Sequence, residues 1–194
     1  MTELGLLLIS YIFGSISSAI IICKVMGIPD PRYNGSNNPG ATNVKRLGGN
    51  KAAIFVLIGD ISKGLFPVLI AIWFKVSDII LAGVCLSVFI GHLYPIFFKF
   101  SGGKGVATAI GVLFGLHVII GLIIAALWII IAKVTKISSL SAIISMTFSP
   151  IALWLIRPSI ELVIMQIIVS LMLIWRHKEN ISNLMMGKES KIKK

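Results

Sequence analysis

The chain has 194 residues, 57% of them hydrophobic, and a mean hydropathy of +0.99. A water-soluble domain of this length has too little interior for so many apolar side chains, so the composition excludes that class and indicates an integral membrane protein. Lys and Arg number 18 against 7 Asp and Glu. Because these basic residues lie between apolar segments, they fit contact with membrane lipids and anionic substrates, and no nucleic acid is expected as a partner.

The apolar segments are continuous rather than alternating, which predicts an all-α, polytopic membrane helix bundle. The clear spans, in chain order, are Leu4–Met26, Ala52–Phe74, Ile79–Phe97, Leu140–Ile156 and Ile160–Trp175. Between the third and fourth of these, the run Val106–Ile131 forms either one long helix or two short ones that turn near Gly115–His117.

The basic residues favour two short helices in that run. With two helices only Lys75 and Arg157 fall on the opposite side of the membrane, whereas one long helix divides the basic residues almost evenly. The positive-inside rule therefore predicts seven transmembrane helices, with the N-terminus outside and the C-terminus in the cytoplasm. Residues 1–194 form one integral-membrane domain, and about residues 183–194 form a flexible basic tail.

Two polar, glycine-rich stretches, residues 34–49 and 101–105, interrupt the apolar sequence. Their peptide groups would lack hydrogen-bond partners in lipid. Glycines allow backbone N–H groups to surround a phosphate, and hydroxyl, amide and basic side chains reach its oxygens. An ordinary connector explains the length and glycine content of the first stretch less well. Its candidate phosphate-binding residues are Gly35, Ser36, Asn38, Gly40, Thr42, Asn43 and Arg46.

The second stretch places Gly102, Gly103, Lys104 and Gly105 before a helix that begins at Val106. A helix N-terminus offers free N–H groups and partial positive charge, to which Lys104 adds a full charge. The stretch is not a Walker A loop, because Phe98 and Gly105 stand where that motif needs Gly and Ser or Thr. Taken alone, it is a weak indication of phosphate binding.

Several other polar residues have both a chemical and a structural interpretation. His92 ends the third span and either binds substrate or supports the loop. Asp60 and Lys63 share a helical face, where an intramembrane pair is either functional or structural. His177 and Asn180 follow the last span, as part of a membrane anchor or of the site. His117 is interpreted as structural, Cys23 and Cys85 as free thiols, and no spacing suggests a metal.

Four stretches together resemble one known family. They are GSISSAI at residues 14–20, GSNNPGATNVKRLGG at 35–49, GHLYPIFFKFSGGKGVATAIG at 91–111 and RHKEN at 176–180. Here the chain resembles the PlsY family, the membrane acyl-phosphate:glycerol-3-phosphate acyltransferases of bacteria. Many members carry Ser-Leu-Ala-Ser before the sixth helix, where this chain has Ser139-Leu140-Ser141-Ala142, so the second serine of the pattern is lost. The role of this segment stays open, and Ser139 is favoured as its substrate-contacting residue.

The resemblance implies an enzyme of the bacterial cytoplasmic (inner) membrane with its active site on the cytoplasmic face. It would transfer a fatty acyl group from acyl phosphate to the 1-hydroxyl of glycerol 3-phosphate, giving lysophosphatidate and inorganic phosphate in the first acylation of phospholipid biosynthesis. It implies no cofactor, and a monomer is compatible with the sequence. By the resemblance, Ser36, Arg46, Lys104, His177 and Asn180 bind substrate and carry the catalysis. The further substrate-binding candidates are His92, Lys63, Ser139 and the loop glycines.

The chemistry of an acyl phosphate fits a site rich in cations and amides. Phosphate is a good leaving group, so the protein mainly has to position two anions and stabilise charge. No His-x4-Asp pair is present, since Phe97, Leu122 and Ser182 follow the three histidines at that spacing. We therefore expect direct transfer without an acyl-enzyme. An organic-phosphate transporter and a non-catalytic assembly factor are the alternatives.

Overall fold

The computed structural model describes residues 3–192, which form nine α-helices and one short 3₁₀ turn and contain no strand. The all-α prediction is confirmed. The helices are α1 Glu3–Ser15, α2 Ser18–Val25, α3 Ala41–Trp73, α4 Asp78–Leu93, α5 Val106–Leu116, α6 Val118–Thr135, α7 Ser138–Ile156, α8 Ile160–Arg176 and α9 Lys178–Met185, with the 3₁₀ turn at Ile96–Phe98.

Four apolar helical segments of residues 3–192 are long enough to cross a membrane: α3, α4 with its 3₁₀ turn, α6 and α7. Two further pairs are bent at a short break, α1–α2 by 40° and α8–α9 by 59°, and bring the number of spans to as many as six. Helix α5 has 11 residues, or about 16 Å at 1.5 Å per residue. A polytopic membrane bundle is therefore established, and the seven-span topology stays a prediction.

The run from Val106 is divided into two helices at His117, as the distribution of basic residues predicts. His117 has extended backbone angles (φ −165°, ψ 124°) and both ends α5 and begins α6. The Leu116 carbonyl at the end of α5 accepts a hydrogen bond from Arg157 Nη1 at 3.2 Å. The second helix extends beyond the predicted end at Ile131 to Thr135, because the apolar pattern tolerates Lys133 near its last turn.

The first predicted span is bent rather than continuous. Residues 16 and 17 separate α1 from α2, and the Ser17 hydroxyl accepts from the Ile20 N–H at the start of α2. The Ile16 carbonyl in this break accepts a hydrogen bond from Lys63 Nζ at 2.8 Å. A carbonyl freed from a helix needs a donor of this kind where water does not reach it.

Helices α1 and α4 pack with their backbones in contact. A Cβ added to Gly14 would lie 2.1 Å from the Val88 carbonyl oxygen, and one added to Gly91 would lie 2.3 Å from that of Tyr11. Small residues allow this close approach between membrane helices. The Tyr11 hydroxyl also donates to the Tyr94 carbonyl at 2.8 Å, so α1 fixes the end of α4 from which the second glycine-rich loop begins.

Candidate active site

The first glycine-rich loop is organised by Asn43, which is buried in the first turn of α3. Its Nδ2 donates to the carbonyls of Pro31 and Asn34, at 3.1 and 2.9 Å, and its Oδ1 accepts from the Ser36 N–H at 2.9 Å. Gly35 has φ +69°, and a Cβ there would lie 2.2 Å from Asn43 Oδ1. Both amide hydrogens of Asn43 thus hold the loop, which makes it a positioning residue.

The remaining predicted residues of this loop lie at the start of α3. Gly40 precedes the helix in an extended conformation, and no side chain caps the helix there, so the first N–H groups of α3 are available to an anion. The Ser36 side chain is exposed and Asn38 is half-buried. Thr42 Oγ1 lies 3.1 Å from Ser138 Oγ, which joins the start of α3 to the start of α7.

Lys104 connects the second loop to the end of the chain. Its Nζ donates to Asn180 Oδ1 on α9, and its side chain is half-buried. Burial lowers the pKa of Lys104 below its ordinary value of 10.5, and the charges of Arg176 and Arg46 lower it further. The carboxylates of Glu189 and Glu179 oppose this shift. Lys104 is therefore a partly desolvated cation, and its electrostatic attraction to an anion is stronger than that of a fully exposed lysine.

His177 is buried between α8 and α9. Its Nδ1 lies 2.8 Å from the Leu173 carbonyl. A carbonyl only accepts hydrogen bonds, so Nδ1 carries the hydrogen and Nε2 of the neutral ring carries the lone pair. Burial lowers the pKa of His177 to about 4, and the charge on Lys104 also lowers it. At neutral pH the ring is uncharged.

Ser139 and Asn180 converge on one carboxylate oxygen that the sequence did not indicate. Ser139 Oγ and Asn180 Nδ2 both donate to Glu189 Oε1, each at 2.7 Å. At the next residue of the chain, Ser190 Oγ accepts a hydrogen bond from Arg46 Nη2 at 3.0 Å. The structure therefore brings together four predicted residues, Arg46, Lys104, Ser139 and Asn180.

Arg176 holds the second glycine-rich loop from outside. Its Nη2 donates to the carbonyls of Gly102 and Gly103, at 3.1 and 3.3 Å, and its guanidinium lies 5.8 Å from the centre of the Tyr94 ring. Sequence reasoning treated Arg176 only as part of a matching motif. The signal for its role is its place immediately before His177, at the end of the last apolar helix.

His92 packs against the same loop from inside the bundle. A Cβ on Gly103 would lie 2.3 Å from His92 Nε2, and the Gly103 N–H donates to the His92 carbonyl at 3.2 Å. Gly105, with φ +88°, then begins α5. These contacts favour the structural interpretation of His92, and direct contact with substrate stays a prediction.

Lys63 lies apart from the Lys104 cluster in its contacts. Within residues 3–192, Lys63 Nζ forms an ion pair with Asp60 Oδ1 at 3.0 Å and donates to the Ile16 carbonyl at 2.8 Å. His92 Nδ1 lies 3.8 Å from the same Asp60 oxygen. The buried pair joins α3 to the α1–α2 break, and substrate binding by Lys63 stays a prediction. No three His, Cys, Asp or Glu side chains in the described part of the chain are grouped as a metal site would be.

These contacts define a class of protein: a polytopic membrane helix bundle with a cluster of cationic and amide side chains at one end, where α3, α5 and α7 begin and α8 ends. We refer to this end of the bundle, around Arg46, Lys104, Ser139 and Asn180, as the cleft. The family profile described as "Glycerol-3-phosphate acyltransferase" matches residues 4–187. The chain belongs to the glycerol-3-phosphate acyltransferase family. The resemblance predicted from the sequence is confirmed, and acylation of glycerol 3-phosphate in phospholipid synthesis is its activity.

Curated relatives and solved structures agree with this assignment. A glycerol-3-phosphate acyltransferase of Methylococcus capsulatus is 49% identical over 183 residues, covering 94% of this chain and 92% of the relative. One from Hydrogenovibrio crunogenus is 50% identical over 186 residues, covering 95% and 89%.

Two crystal structures of PlsY (YgiH), an integral membrane glycerol 3-phosphate acyltransferase, have the same fold. The glycerol 3-phosphate form is 36% identical with a TM-score of 0.94, covering 98% of this chain and 96% of that one. The lysophosphatidic acid form is 35% identical with a TM-score of 0.91, covering 97% and 94%.

Proposed function

We propose that the acyl donor is acyl phosphate and that the products are lysophosphatidate and inorganic phosphate. The observation that carries the proposal is the convergence of Arg46, Lys104, Ser139 and Asn180 at one end of the bundle. Both reactants bear phosphate, and a cleft rich in cations and amide donors suits two anions. The ligands named in the two solved relatives, glycerol 3-phosphate and lysophosphatidic acid, fit the acceptor and product of this reaction.

In this reaction the 1-hydroxyl oxygen of glycerol 3-phosphate attacks the acyl carbonyl carbon. The new ester C–O bond forms, the bond between the acyl carbon and the phosphate oxygen breaks, and inorganic phosphate leaves with the electron pair. Lys104 and Arg46 stabilise the charge on the phosphates. The first N–H groups of α3 and α5, with Ser36, Asn38 and Thr42, complete the anion contacts, and Asn180 orients Lys104.

The hydroxyl proton passes to a phosphate oxygen of the substrate. Nε2 of neutral His177 has a lone pair, but a base whose pKa is about 4 holds a proton weakly at neutral pH. A phosphate monoester, whose second pKa is about 6, is the stronger acceptor. His177 then contributes a hydrogen bond rather than carrying the proton through the reaction.

The proposed placement in the membrane follows from the ends of the helices. With the N-terminus outside and seven crossings, the starts of α3, α5 and α7 and the end of α8 lie in the cytoplasm. The acyl chain would lie between helices in the inner leaflet, and both phosphates at the cytoplasmic interface of the bacterial inner membrane.

Purified protein in detergent tests the reaction directly. With acyl phosphate and glycerol 3-phosphate we expect inorganic phosphate and lysophosphatidate in equal amounts, and no ester when acyl-CoA replaces acyl phosphate. Transfer from acyl-CoA at a similar rate would contradict the donor. An acylated protein, trapped with acyl phosphate alone, would contradict direct transfer. Solute movement in sealed vesicles without ester formation would indicate a transporter instead.

A further inference from the structure

The chain turns at Gly187 after α9 and runs back across the cleft. We call residues 188–192 the strap. Its one acidic residue, Glu189, accepts hydrogen bonds from Ser139 Oγ and Asn180 Nδ2 at the same carboxylate oxygen, each at 2.7 Å. A single carboxylate thus takes donors from α7 and from α9, beside the ammonium group of Lys104 that Asn180 also binds.

Two further residues of the strap, Ser190 and Ile192, make hydrogen bonds that fix its position. Ser190 Oγ accepts from Arg46 Nη2 at 3.0 Å. The Ile192 N–H donates to the Lys136 carbonyl, which follows α6, at 2.7 Å. The strap therefore contacts residues of α3, α7 and α9 and the residue that follows α6. Three of these contacts are with predicted site residues, Arg46, Ser139 and Asn180.

A carboxylate in this position resembles a bound phosphate. An ionised carboxylate, like a phosphate oxygen, only accepts hydrogen bonds and carries negative charge. Its charge raises the pKa of Lys104 against the effect of burial, as an anionic ligand would. Ser139 Oγ and Asn180 Nδ2 cannot give the same hydrogen bonds to Glu189 and to a substrate phosphate at once.

The strap is also held loosely compared with the bundle. Lys188, Ser190 and Lys191 are exposed, and Glu189 and Ile192 are half-buried. The segment lies beyond residues 4–187, to which the family profile extends. Displacing it breaks a few polar contacts and no packed core.

We propose that the strap is an autoinhibitory segment whose Glu189 carboxylate occupies the position of a substrate phosphate. A phosphate-bearing ligand has to displace the strap before it can bind. The proposal rests on the proposed function in one respect, namely that this cleft binds phosphate. The ligand that competes with Glu189 is a phosphate group, of glycerol 3-phosphate or of acyl phosphate.

Titration calorimetry with the detergent-purified full chain tests the competition without turnover. We expect inorganic phosphate to bind more tightly to the E189Q variant and to a chain that ends at Gly187. If the strap occupies the cleft in nine molecules of ten, the affinity for phosphate should rise about tenfold in the variants, because the apparent affinity scales with the open fraction. E179Q is the matched control, since Glu179 is exposed on α9 but bonds to neither Ser139 nor Asn180. Unchanged or weaker phosphate binding in both strap variants would overturn the proposal.

Steady-state kinetics then show which phosphate the strap opposes. In both strap variants the KM of the competing substrate should fall by the factor by which phosphate binding tightens, and kcat should stay unchanged. A peptide of residues 188–194 should raise that KM again for the shortened chain, and the same peptide carrying E189Q should not. A peptide without effect at any concentration would contradict competition.

The two proposals fail differently. A shortened chain that binds phosphate more tightly and forms no lysophosphatidate would leave the strap standing and reject the proposed reaction. A chain that forms lysophosphatidate with unaltered phosphate binding and KM after shortening would reject the strap and leave the reaction standing.

Discussion

Lys104 contributes a partly buried positive charge to the candidate site. It is the half-buried cation that joins the second glycine-rich loop to Asn180. A charge-assisted hydrogen bond is worth about 1.5–3 kcal/mol. We expect Lys104→Ala to lower kcat/KM by roughly 10- to 150-fold on this basis. The measurement is phosphate release at low and saturating substrate, with exposed Lys51→Ala as the control. Near-normal turnover of Lys104→Ala would show that Lys104 does not belong to the active site.

The pH dependence of activity should reflect the charge of Lys104. The pKa of Lys104 is lowered, chiefly by burial, so with rising pH its charge is lost earlier than that of an ordinary lysine. Activity that needs the charge therefore falls on the alkaline side. In Lys104→Arg the charge persists, and the alkaline fall should move to higher pH even if the maximum rate is lower. An unmoved alkaline fall would assign it to another group.

Asn43 is a predicted substrate ligand whose contacts in the structure are with the loop backbone instead. Its amide makes three hydrogen bonds to the loop backbone. Asn43→Ala leaves these groups with fewer partners, at about 1–3 kcal/mol of stability. We expect a lower unfolding temperature in detergent together with lost activity. Asn50→Ala, on an exposed surface of α3, should change neither. An active, fully stable Asn43→Ala protein would contradict the role.

At the scale of helices, the Asp60–Lys63 pair couples α3 to the break between α1 and α2. Removing one member of a buried pair leaves an uncompensated charge, which costs about 3–5 kcal/mol. Lys63→Met should therefore destabilise the protein more than the double variant Asp60→Asn with Lys63→Met. Unfolding of the three variants in detergent measures the difference. Additive effects would show that the two residues do not stabilise each other.

The elements that the sequence predicts well are those in which one physical signal dominates. The division at His117 follows from the placement of basic residues on either side of an apolar run. The α1–α2 break has only a weak signal, the serines around Ile16, because apolar residues continue on both sides of it. The donor that satisfies the Ile16 carbonyl is Lys63, far away in sequence. The place of the strap is also invisible in the sequence, because a short basic segment is typical of a solvated tail.

The candidate site was predictable as a set of residues and not as a set of contacts. The glycine-rich stretches and the residues after the last span indicate phosphate chemistry, and the structure brings Arg46, Lys104, Ser139 and Asn180 together. Which side chains hold the loops depends on tertiary packing. Asn43, Arg176 and Lys63 are residue types that can bind phosphate, but each donates a hydrogen bond to a backbone carbonyl, and Lys63 also pairs with Asp60.

The topology of the whole molecule can be tested in vesicles by labelling single cysteines. Cys23 and Cys85 are buried, so they provide an unreactive background. We expect Tyr33→Cys and Ser101→Cys, both exposed near the cleft, to react only with reagent that reaches the cytoplasmic side. Ser77→Cys should react from outside. If Tyr33→Cys and Ser101→Cys react from opposite sides, the two glycine-rich loops do not share one site.

A cleft built where separate helices end has a consequence for how the enzyme is made. Asn180 follows α8, and its partner Lys104 precedes α5. A nascent chain that has inserted α1 to α7 therefore holds Lys104 without its amide partner. We therefore expect a polypeptide that ends before the last helix pair to insert into the membrane without being active.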